Sequence, residues 1–463
     1  MDSLTATLSQ GLQVFDTWLW SYFLILLLVV VGVKLTVQLK GMQFRYLFHA
    51  LKLAFTRSDD DAEGDISQFQ SLMTALSATI GIGSIAGVAT AIMAGGFGAI
   101  FWMWIIALVG MATKYAEAIL AVKFRTVDKK GNMAGGPMYY LREGLGWKKM
   151  ALAFGVFGTL SSFGGGNIIQ SNSIAASMKG LLGIDPFWCG IVLAVLTATI
   201  VLGGIKSIGK VSAYFVPIMA LFYVCGGLII LFLNLPKIPH CLYEIVSSAF
   251  HGQAAMGGFL GASVMSAMQL GVARGVSSNE AGLGSAPIAA AAAKTDVPGR
   301  QALISMTGVF LSSIIVCSIT ALVIGVTGVF GKVDAAGHLL NGSCLVMEAF
   351  RSVIPGGDVV VAIGVILFGY STIVGWAYYG EKCIEFVAGE RILFSYRVIF
   401  CLVVFLGAIM SFDLVWPLAD IMNGLMAIPN LFALLGLSSV VLTESKSFFA
   451  LLSYEKKQLK AGS

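Results

Sequence analysis

Small and polar residues concentrate in the middle of two strongly apolar stretches of the chain. The first, Ala75 to Gly87, holds three glycines and three hydroxyl side chains, and the second, Gly257 to Gly275, holds glycines together with Gln269 and Arg274. Broken helical backbone at membrane depth is tolerated only where protein or a polar cavity covers it. The two clusters therefore predict interrupted helices beside a binding site for a small polar solute. The alternative is that the glycines only let neighbouring helices pack closely.

Two amides lie in a third apolar stretch, where Asn167 and Gln170 are three residues apart and are expected to share a helix face. Amides at this depth need partners, which the ammonium and carboxylate of a zwitterion or a neighbouring helix would provide. Lys114 and Glu117 have the same spacing and predict a structural ion pair.

A carboxylate, Asp420, lies in the last apolar stretch, where burying a charge is expensive and indicates a solute pathway. Because Asn423, Gly424 and Pro429 follow it, we expect this helix to be broken as well. Arg274 has two candidate roles, to cap the pathway on the inside or to pair with Glu280, and both stay open at this point.

Enzyme chemistry inside a membrane requires a Ser/His pair, two aspartates or His/Glu metal ligands. The four histidines lie in loops or at the ends of apolar stretches, and the chain has no H-E-x-x-H motif. We therefore expect no catalytic residues, no enzyme activity and no cofactor.

Composition indicates a membrane protein. Of 463 residues, 57% are hydrophobic and only 11% are charged, against roughly 25% in an ordinary soluble domain. The net charge of +5 is small and dispersed, which argues against a nucleic-acid partner. The seven cysteines form no C-x-x-C pair and are expected to be small buried hydrophobes.

Eleven stretches are long and apolar enough to predict membrane-spanning helices in a lipid bilayer. They run over residues 17–37, 69–92, 99–122, 151–178, 186–205, 211–233, 256–276, 302–329, 359–380, 394–410 and 414–442. Loops on one side hold 22 Lys and Arg residues and loops on the other hold four. Since basic loops stay cytoplasmic, we expect the N-terminus outside, the C-terminus inside and a cell (inner) membrane location.

The last ten spans divide into two groups of five, and each group begins with a glycine-broken helix. Five is odd, so the second group has the opposite orientation to the first. Inverted repeats with broken helices at matching positions predict a secondary transporter with a binding site at the membrane midplane. The expected organisation is an accessory helix and loop (1–65), a first repeat (66–235), a second repeat (250–443) and a cytoplasmic tail (444–463).

Two long motifs resemble those of the alanine or glycine:cation symporters, the sodium:alanine symporter family. They are GGFGAIFWMWIIALVG, residues 95–110, and GVARGVSSNEAGLGSAP, residues 271–287. The resemblance extends over essentially the whole chain. It implies an all-α membrane protein of the leucine-transporter type, a 5+5 inverted repeat with one extra N-terminal helix, and a place in the amino acid, polyamine and cation transporter superfamily.

The resemblance also implies two groups of site residues, as follows. The cation group, expected to bind sodium, would comprise the carbonyls of Ser77, Ile80 and Phe368 and the hydroxyls of Ser371 and Thr372. The substrate group would comprise Thr79, Gly81, Asn167, Gln170, Met265, Gln269, Gly271 and Trp376. Two alternatives stay open: the Thr79 hydroxyl bonds back to its own helix, and Trp376 belongs to an interfacial aromatic belt.

The expected function is sodium-coupled import of alanine or glycine by alternating access. Alternatives are a proton-coupled transporter of small neutral amino acids, or a channel or nutrient sensor on the same fold. A channel needs a continuous pore, and a sensor usually carries an added soluble domain.

Overall fold

The computed structural model describes residues 2–56, 62–251, 263–334, 337–410 and 412–461 of the chain. Helices make up most of these residues, as the long apolar stretches predict. A bilayer offers no partner for backbone N–H and C=O groups, so a crossing segment satisfies them within its own helix.

The helices of the first half comprise the accessory segment and five of the predicted spans. In chain order they are α1 (Asp2–Trp18), α2 (Leu24–Gln38), α3 (Met42–Phe55), α4 (Gln68–Thr79), α5 (Ala86–Gly95), α6 (Gly98–Lys123), α7 (Pro137–Tyr139), α8 (Lys148–Phe163), α9 (Ile169–Leu182), α10 (Pro186–Val201), α11 (Gly204–Leu233) and α12 (Ile238–His251). A two-stranded antiparallel hairpin, β1 (Thr126–Val127) and β2 (Met133–Ala134), lies between α6 and α7.

The second half contains the remaining predicted spans and a C-terminal helix. Its helices are α13 (Val264–Asn279), α14 (Ala286–Ala291), α15 (Pro298–Val309), α16 (Ser318–Thr327), α17 (Gly342–Arg351), α18 (Gly357–Ala388), α19 (Leu393–Ile409), α20 (Phe412–Gly436) and α21 (Ser438–Ala461). π-helical segments at Leu19–Phe23, Tyr140–Gly144, Gly164–Ile168 and Phe310–Cys317 join some of these helices, and 3-10 turns lie at Ile82–Ser84, Leu235–Lys237 and Glu390–Ile392.

Within the described residues, seven continuous helical segments are long and apolar enough to cross a membrane by length and composition. The pair α2 and α3 is bent by 82° and makes eight if it is counted as one span. Each of the eleven predicted stretches contains helix, but the number eleven stays a prediction, as do the domain boundaries.

The first predicted break is present between α4 and α5. Ile80 leaves helical geometry at ψ 71°, and Gly81 is extended at φ −106° and ψ −161°. A short 3-10 turn follows before α5 resumes. The glycine and hydroxyl cluster of this stretch therefore coincides with a helix interruption.

A second break in the described residues lies after the stretch 257–275, and a break among the glycines of 257–261 stays a prediction. Residues 252–262 lie outside the described part of the chain, and α13 continues without interruption to Asn279. The helix ends at Glu280, which adopts a left-handed conformation at φ 57°, and α14 begins six residues further on. Gly282 and Gly284 also have positive φ values, 91° and 84°, so this turn uses backbone that glycine favours.

The expected break in the last span is not observed. Helix α20 passes through both Pro417 and Pro429 without leaving helical structure. A proline removes one hydrogen bond from a helix, but in a membrane bundle neighbouring helices can supply a new partner for the freed backbone group.

Candidate functional site

A small polar cavity lies between the two breaks. Its volume is about 40 Å³, which is room for a few water molecules. The cavity receives residues from α4, the first break, the π-helix after α8, α9, α13, the second break, α18 and α20. Its lining comprises Ala78, Thr79, Gly81, Gly83, Gly165, Ile169, Gln170, Arg274, Ser277, Glu280, Leu283, Thr372, Trp376, Trp416 and Asn423.

Glycines allow the helices around this cavity to approach closely. A methyl group at Gly81 would lie 2.6 Å from the Thr372 hydroxyl oxygen, and one at Gly166 would lie 2.3 Å from Cβ of Trp376. Both distances are shorter than van der Waals contact allows. The glycines therefore let the first break and the π-helical segment reach α18.

Two of the predicted substrate residues, Gln170 and Thr79, lie beside the first break. Gln170 accepts a hydrogen bond from the Ile82 N–H at 3.3 Å and donates one to the Gly165 carbonyl at 2.9 Å. The Thr79 hydroxyl donates to the Ala75 carbonyl at 2.6 Å, so it bonds back to its own helix while lining the cavity.

Trp376 forms one wall of the cavity and is only 3% exposed. Its ring packs edge-on against Tyr379, with centroids 5.6 Å apart. A belt residue would lie at the protein surface, so this burial disfavours the interfacial alternative for Trp376.

Four of the five predicted cation ligands lie together beside the cavity. The Ser371 hydroxyl lies 3.3 Å from the Ser77 carbonyl and 2.9 Å from the Phe368 carbonyl, and the Thr372 hydroxyl donates to the Ser77 carbonyl at 2.9 Å. Ile80, the fifth, ends α4 at the break. Helix α4 and the unbroken α18 thus place two hydroxyls and two carbonyls around one point.

The other four predicted substrate residues do not line the cavity. Asn167 donates to the Phe400 carbonyl of α19 at 2.9 Å, and Gly271 packs against the Ala99 carbonyl of α6. Met265 is 47% exposed in the first turn of α13, and Gln269 also lies in that helix.

One end of the cavity is closed by an ion pair that the spacing of residues did not predict. Both guanidinium Nη atoms of Arg274 donate to the Asp420 carboxylate, one of them at 3.2 Å. The guanidinium also lies over the Trp416 ring at 5.0 Å, and the Trp20 indole donates to the Asp420 carbonyl at 3.1 Å. Arg274 thus pairs with Asp420 rather than with Glu280.

Buried charges surround the second break. Rather than pairing with each other, Lys114 donates to the Asn279 carbonyl at 3.0 Å, and Glu117 accepts from the N–H groups of Gly282 and Gly284, both at 3.1 Å. The Glu280 carboxylate lines the cavity and accepts from the Ser285 hydroxyl at 2.8 Å. Helix α6 therefore stabilises the irregular backbone of the break through its charged side chains.

A cluster of hydrogen bonds between separate segments, here called the Arg125 clamp, lies near the start of α4. Arg125 donates to four carbonyls, those of Ala291, Ala293, Thr295 and Glu63, at 2.7 to 3.2 Å. These bonds tie the segment after α14 to the segment before α4. Burial raises the pKa of the nearby Asp65 carboxyl above its ordinary value, although the Met133 N–H donates to that carboxyl.

Comparison with known proteins identifies the family of the chain. The model described as the sodium:alanine symporter family matches residues 5–461. The chain belongs to this family. Its fold and its relatives are those of membrane transporters, so the chain is a cation-coupled amino-acid symporter and not an enzyme.

Several characterised and uncharacterised relatives match this symporter along nearly its whole length. The sodium/alanine symporter AgcS of Methanococcus maripaludis is 52% identical over 447 residues, covering 96% of this chain and 97% of the relative. An uncharacterized transporter of Haemophilus influenzae is 47% identical over 444 residues, with 96% of each chain covered. The probable sodium/glutamine symporter GlnT of Bacillus subtilis is 36% identical over 446 residues, covering 96% and 90%.

Solved structures resemble the symporter in fold. MhsT in complex with L-phenylalanine has a TM-score of 0.59 at 14% identity, covering 83% of this chain and 93% of that one. A manganese transporter of Eremococcus coleocola has a TM-score of 0.51 at 15% identity, covering 84% and 82%. The predicted leucine-transporter type of fold is confirmed.

Two contacts of the symporter were not predicted from the sequence. Glu280 lines the cavity, and the Trp416 ring packs against the Arg274 guanidinium. Glu280 lies inside the second family motif, in the run Asn279 to Gly284 with two glycines. That run is a turn signal, and it would have located the second break.

Proposed function

We propose that the symporter imports small neutral amino acids, alanine or glycine, together with sodium by alternating access. The observation that carries the proposal is the convergence of Ser77, Phe368, Ser371 and Thr372 on one point beside the cavity. Three relatives bear names that specify sodium and an amino acid, glutamine in one and alanine in two, and one of the alanine names reads sodium/proton-dependent. Alanine is favoured here because the cavity is small.

The sodium ion would bind to the two hydroxyl oxygens and the carbonyls of Ser77, Phe368 and Ile80. Neutral oxygens suit a hard monovalent cation, since they replace its hydration shell. In the structure, both hydroxyls donate to the Ser77 carbonyl. An ion would attract the oxygen lone pairs, so the hydroxyl hydrogens would have to rotate away when it binds.

The amino acid would occupy the cavity between the two breaks. Its carboxylate would face the backbone N–H groups that begin the 3-10 turn after Gly81, where the helix dipole is positive. The Gln170 amide already meets the Ile82 N–H at this place. Trp376 would limit the side chain to a hydrogen atom or a methyl group, because its ring fills the wall opposite.

Alternating access requires one closure at each end of the cavity. The Arg274–Asp420 pair and the Arg125 clamp would supply these closures, since each joins elements from different parts of the chain. We propose that the symporter lies in the inner membrane of the cell. Given the asymmetry of Lys and Arg in the loops, the Arg274–Asp420 pair would then face the outside and the Arg125 clamp would face the cytoplasm.

A second candidate, proton coupling, is favoured by one observation. Glu280 is a buried carboxylate in the cavity wall, beside Ser285 and near Lys114. A group of this kind would carry a proton between two orientations of a transporter.

Uptake of labelled alanine into proteoliposomes tests the proposal. With the full chain reconstituted, an imposed sodium gradient should drive alanine accumulation at constant pH, and a proton gradient without sodium should not. A Glu280→Gln variant adds a second arm, because uptake driven by a proton gradient should be lost in it if Glu280 carries the coupled proton. Uptake that follows only the proton gradient would overturn the sodium proposal.

A further inference from the structure

Helix α3 lies nearly perpendicular to the helix before it. The bend between α2 and α3 is 82°, and α2 has the length and apolar character of a membrane-crossing helix. A helix at this angle to a crossing helix runs close to the plane of the membrane surface. Its position along the bilayer normal is therefore set by the end of α2.

One face of α3 packs on the protein and the other is free and strongly apolar. Met42 and Ala50 are 1% or less exposed, whereas Phe44, Phe48 and Phe55 are 56%, 84% and 59% exposed. At 100° per residue the three phenylalanines fall within an arc of about 40°. A soluble surface would not present three adjacent phenylalanine rings.

Two basic residues border this apolar arc on one side only. Arg45 and Lys52 are exposed and lie about 40° to 60° further round the helix from Phe48. An apolar arc bordered by Lys or Arg is typical of helices that lie in the membrane interface, with their rings among acyl chains and their cations at the headgroups.

An open groove of about 510 Å³ continues this surface past the end of α3. Its apolar wall is formed by Phe55, Phe69 and Tyr214, and its polar wall by Thr56, Gln70 and Lys210. The Phe55 and Phe69 rings lie 6.4 Å apart, and Lys210 is exposed. The groove thus combines aromatic walls with a cation, as the exposed face of α3 does.

We infer that this groove and the exposed face of α3 form a binding site for an anionic phospholipid of the bilayer. The acyl chains would pack on Phe48, Phe55 and Tyr214, while the phosphate headgroup would lie between Lys52 and Lys210. Charge complementarity selects the ligand, because the cytoplasmic leaflet carries anionic lipids and attracts basic segments near its surface. The inference relies on the proposed orientation, with α3 at the cytoplasmic side.

The site adjoins the part of the symporter that must move. Phe69 and Gln70 belong to the first turn of α4, and Gln70 forms a reciprocal capping box with Ser67. Helix α4 ends at the first break and carries Ser77 and Thr79. A lipid that braces its first turn would therefore change the rate at which the cavity opens toward the cytoplasm.

Lipid retention by the full chain tests this inference directly. The symporter would be exposed to mixed phosphatidylcholine and phosphatidylglycerol, and native mass spectrometry would count the lipids that stay bound. We expect phosphatidylglycerol to be retained by the native chain and on the order of a hundredfold less by the triple variant Arg45→Gln, Lys52→Gln, Lys210→Gln. A matched control, Lys129→Gln, Lys148→Gln, Lys149→Gln, removes the same charge from exposed sites elsewhere and should retain the lipid normally.

Uptake in vesicles gives the second readout. Native symporter and control should transport faster when phosphatidylglycerol is added to phosphatidylcholine vesicles, and the triple variant should not respond. Equal retention by the triple variant and the control would overturn the inference, as would a response to added inorganic phosphate in place of the lipid. Because retention does not depend on transport, a failure of the proposed sodium coupling would leave this result unaffected and recognisable.

Discussion

The Thr372 hydroxyl of α18 donates to the Ser77 carbonyl of α4 at 2.9 Å. In a continuous helix that carbonyl would accept from the N–H four residues later, but the Gly81 N–H bonds to Thr79 instead. The break thus frees a carbonyl oxygen, and a hydroxyl from an intact helix meets it. This contact connects the broken helix to the rigid one at the proposed sodium site.

Removing the Ser371 or the Thr372 hydroxyl should weaken the binding of sodium more than the binding of the amino acid. We expect Thr372→Val and Ser371→Ala to raise the half-saturating sodium concentration about tenfold, since a lost ligand to an ion costs about 1–3 kcal/mol. The apparent affinity for the amino acid should recover at high sodium, because the effects of the two ligands on each other's binding are reciprocal. The maximal rate should then be near normal. Uptake measured against sodium concentration tests this.

Thr159→Val is the matched control for these variants. Its hydroxyl bonds back to the Gly155 carbonyl within α8 and has no predicted part in either site. An unchanged sodium dependence in folded Thr372→Val and Ser371→Ala proteins would place the cation elsewhere.

Gly166 should tolerate no side chain. A methyl group there would lie 2.3 Å from Cβ of Trp376, so Gly166→Ala should cost about 1–3 kcal/mol of stability and move the cavity wall. We expect a lower thermal unfolding temperature together with weaker alanine binding. Gly180→Ala lies in the helix that follows and meets no atom within 4 Å, so it should behave like the native chain. Equal effects of the two substitutions would contradict the close packing described here.

Shortening Trp376 should broaden the range of substrates. In a folded Trp376→Leu protein we expect leucine and methionine to compete with alanine uptake, because the wall that limits the side chain is removed. Trp188, which is 63% exposed, offers Trp188→Leu as a control with unchanged selectivity. Failure of both larger amino acids to inhibit the Trp376→Leu protein would show that Trp376 does not set the size limit.

The Arg274–Asp420 pair should show strong energetic coupling. Each single change, Arg274→Met or Asp420→Leu, leaves a buried unpaired charge and should destabilise the protein by about 3–5 kcal/mol. The double variant removes both charges and should recover most of that loss. Thermal unfolding of the four proteins measures the coupling, and simple addition of the two single effects would mean that the pair contributes nothing as a pair.

Much of the fold could be predicted from local sequence, because an apolar stretch in a membrane forms a helix whatever its partners are. The first break was also predictable from local sequence, because Gly81 and Gly83 cluster with hydroxyl side chains inside an apolar stretch. The second break of the described residues was not predicted, because the residue that ends α13 is Glu280 in a left-handed conformation and not a glycine.

Side-chain placement was harder to predict where the helix geometry departs from the α type. Asn167 and Gln170 share a face only at 3.6 residues per turn, but the π-helix Gly164–Ile168 has wider turns. Asn167 therefore faces α19 while Gln170 faces the cavity. The Arg274–Asp420 pair joins residues 146 positions apart, and spacing along the chain carries no information about such a contact.

The accumulation ratio of alanine at steady state tests whether alanine uptake is coupled to the sodium gradient. One sodium ion that moves down about 100 mV and a tenfold gradient releases about 3.7 kcal/mol, enough for roughly 500-fold accumulation. In proteoliposomes held at constant voltage and pH, we expect a tenfold larger sodium gradient to raise the ratio about tenfold. A ratio that ignores the sodium gradient and follows the proton gradient would contradict it.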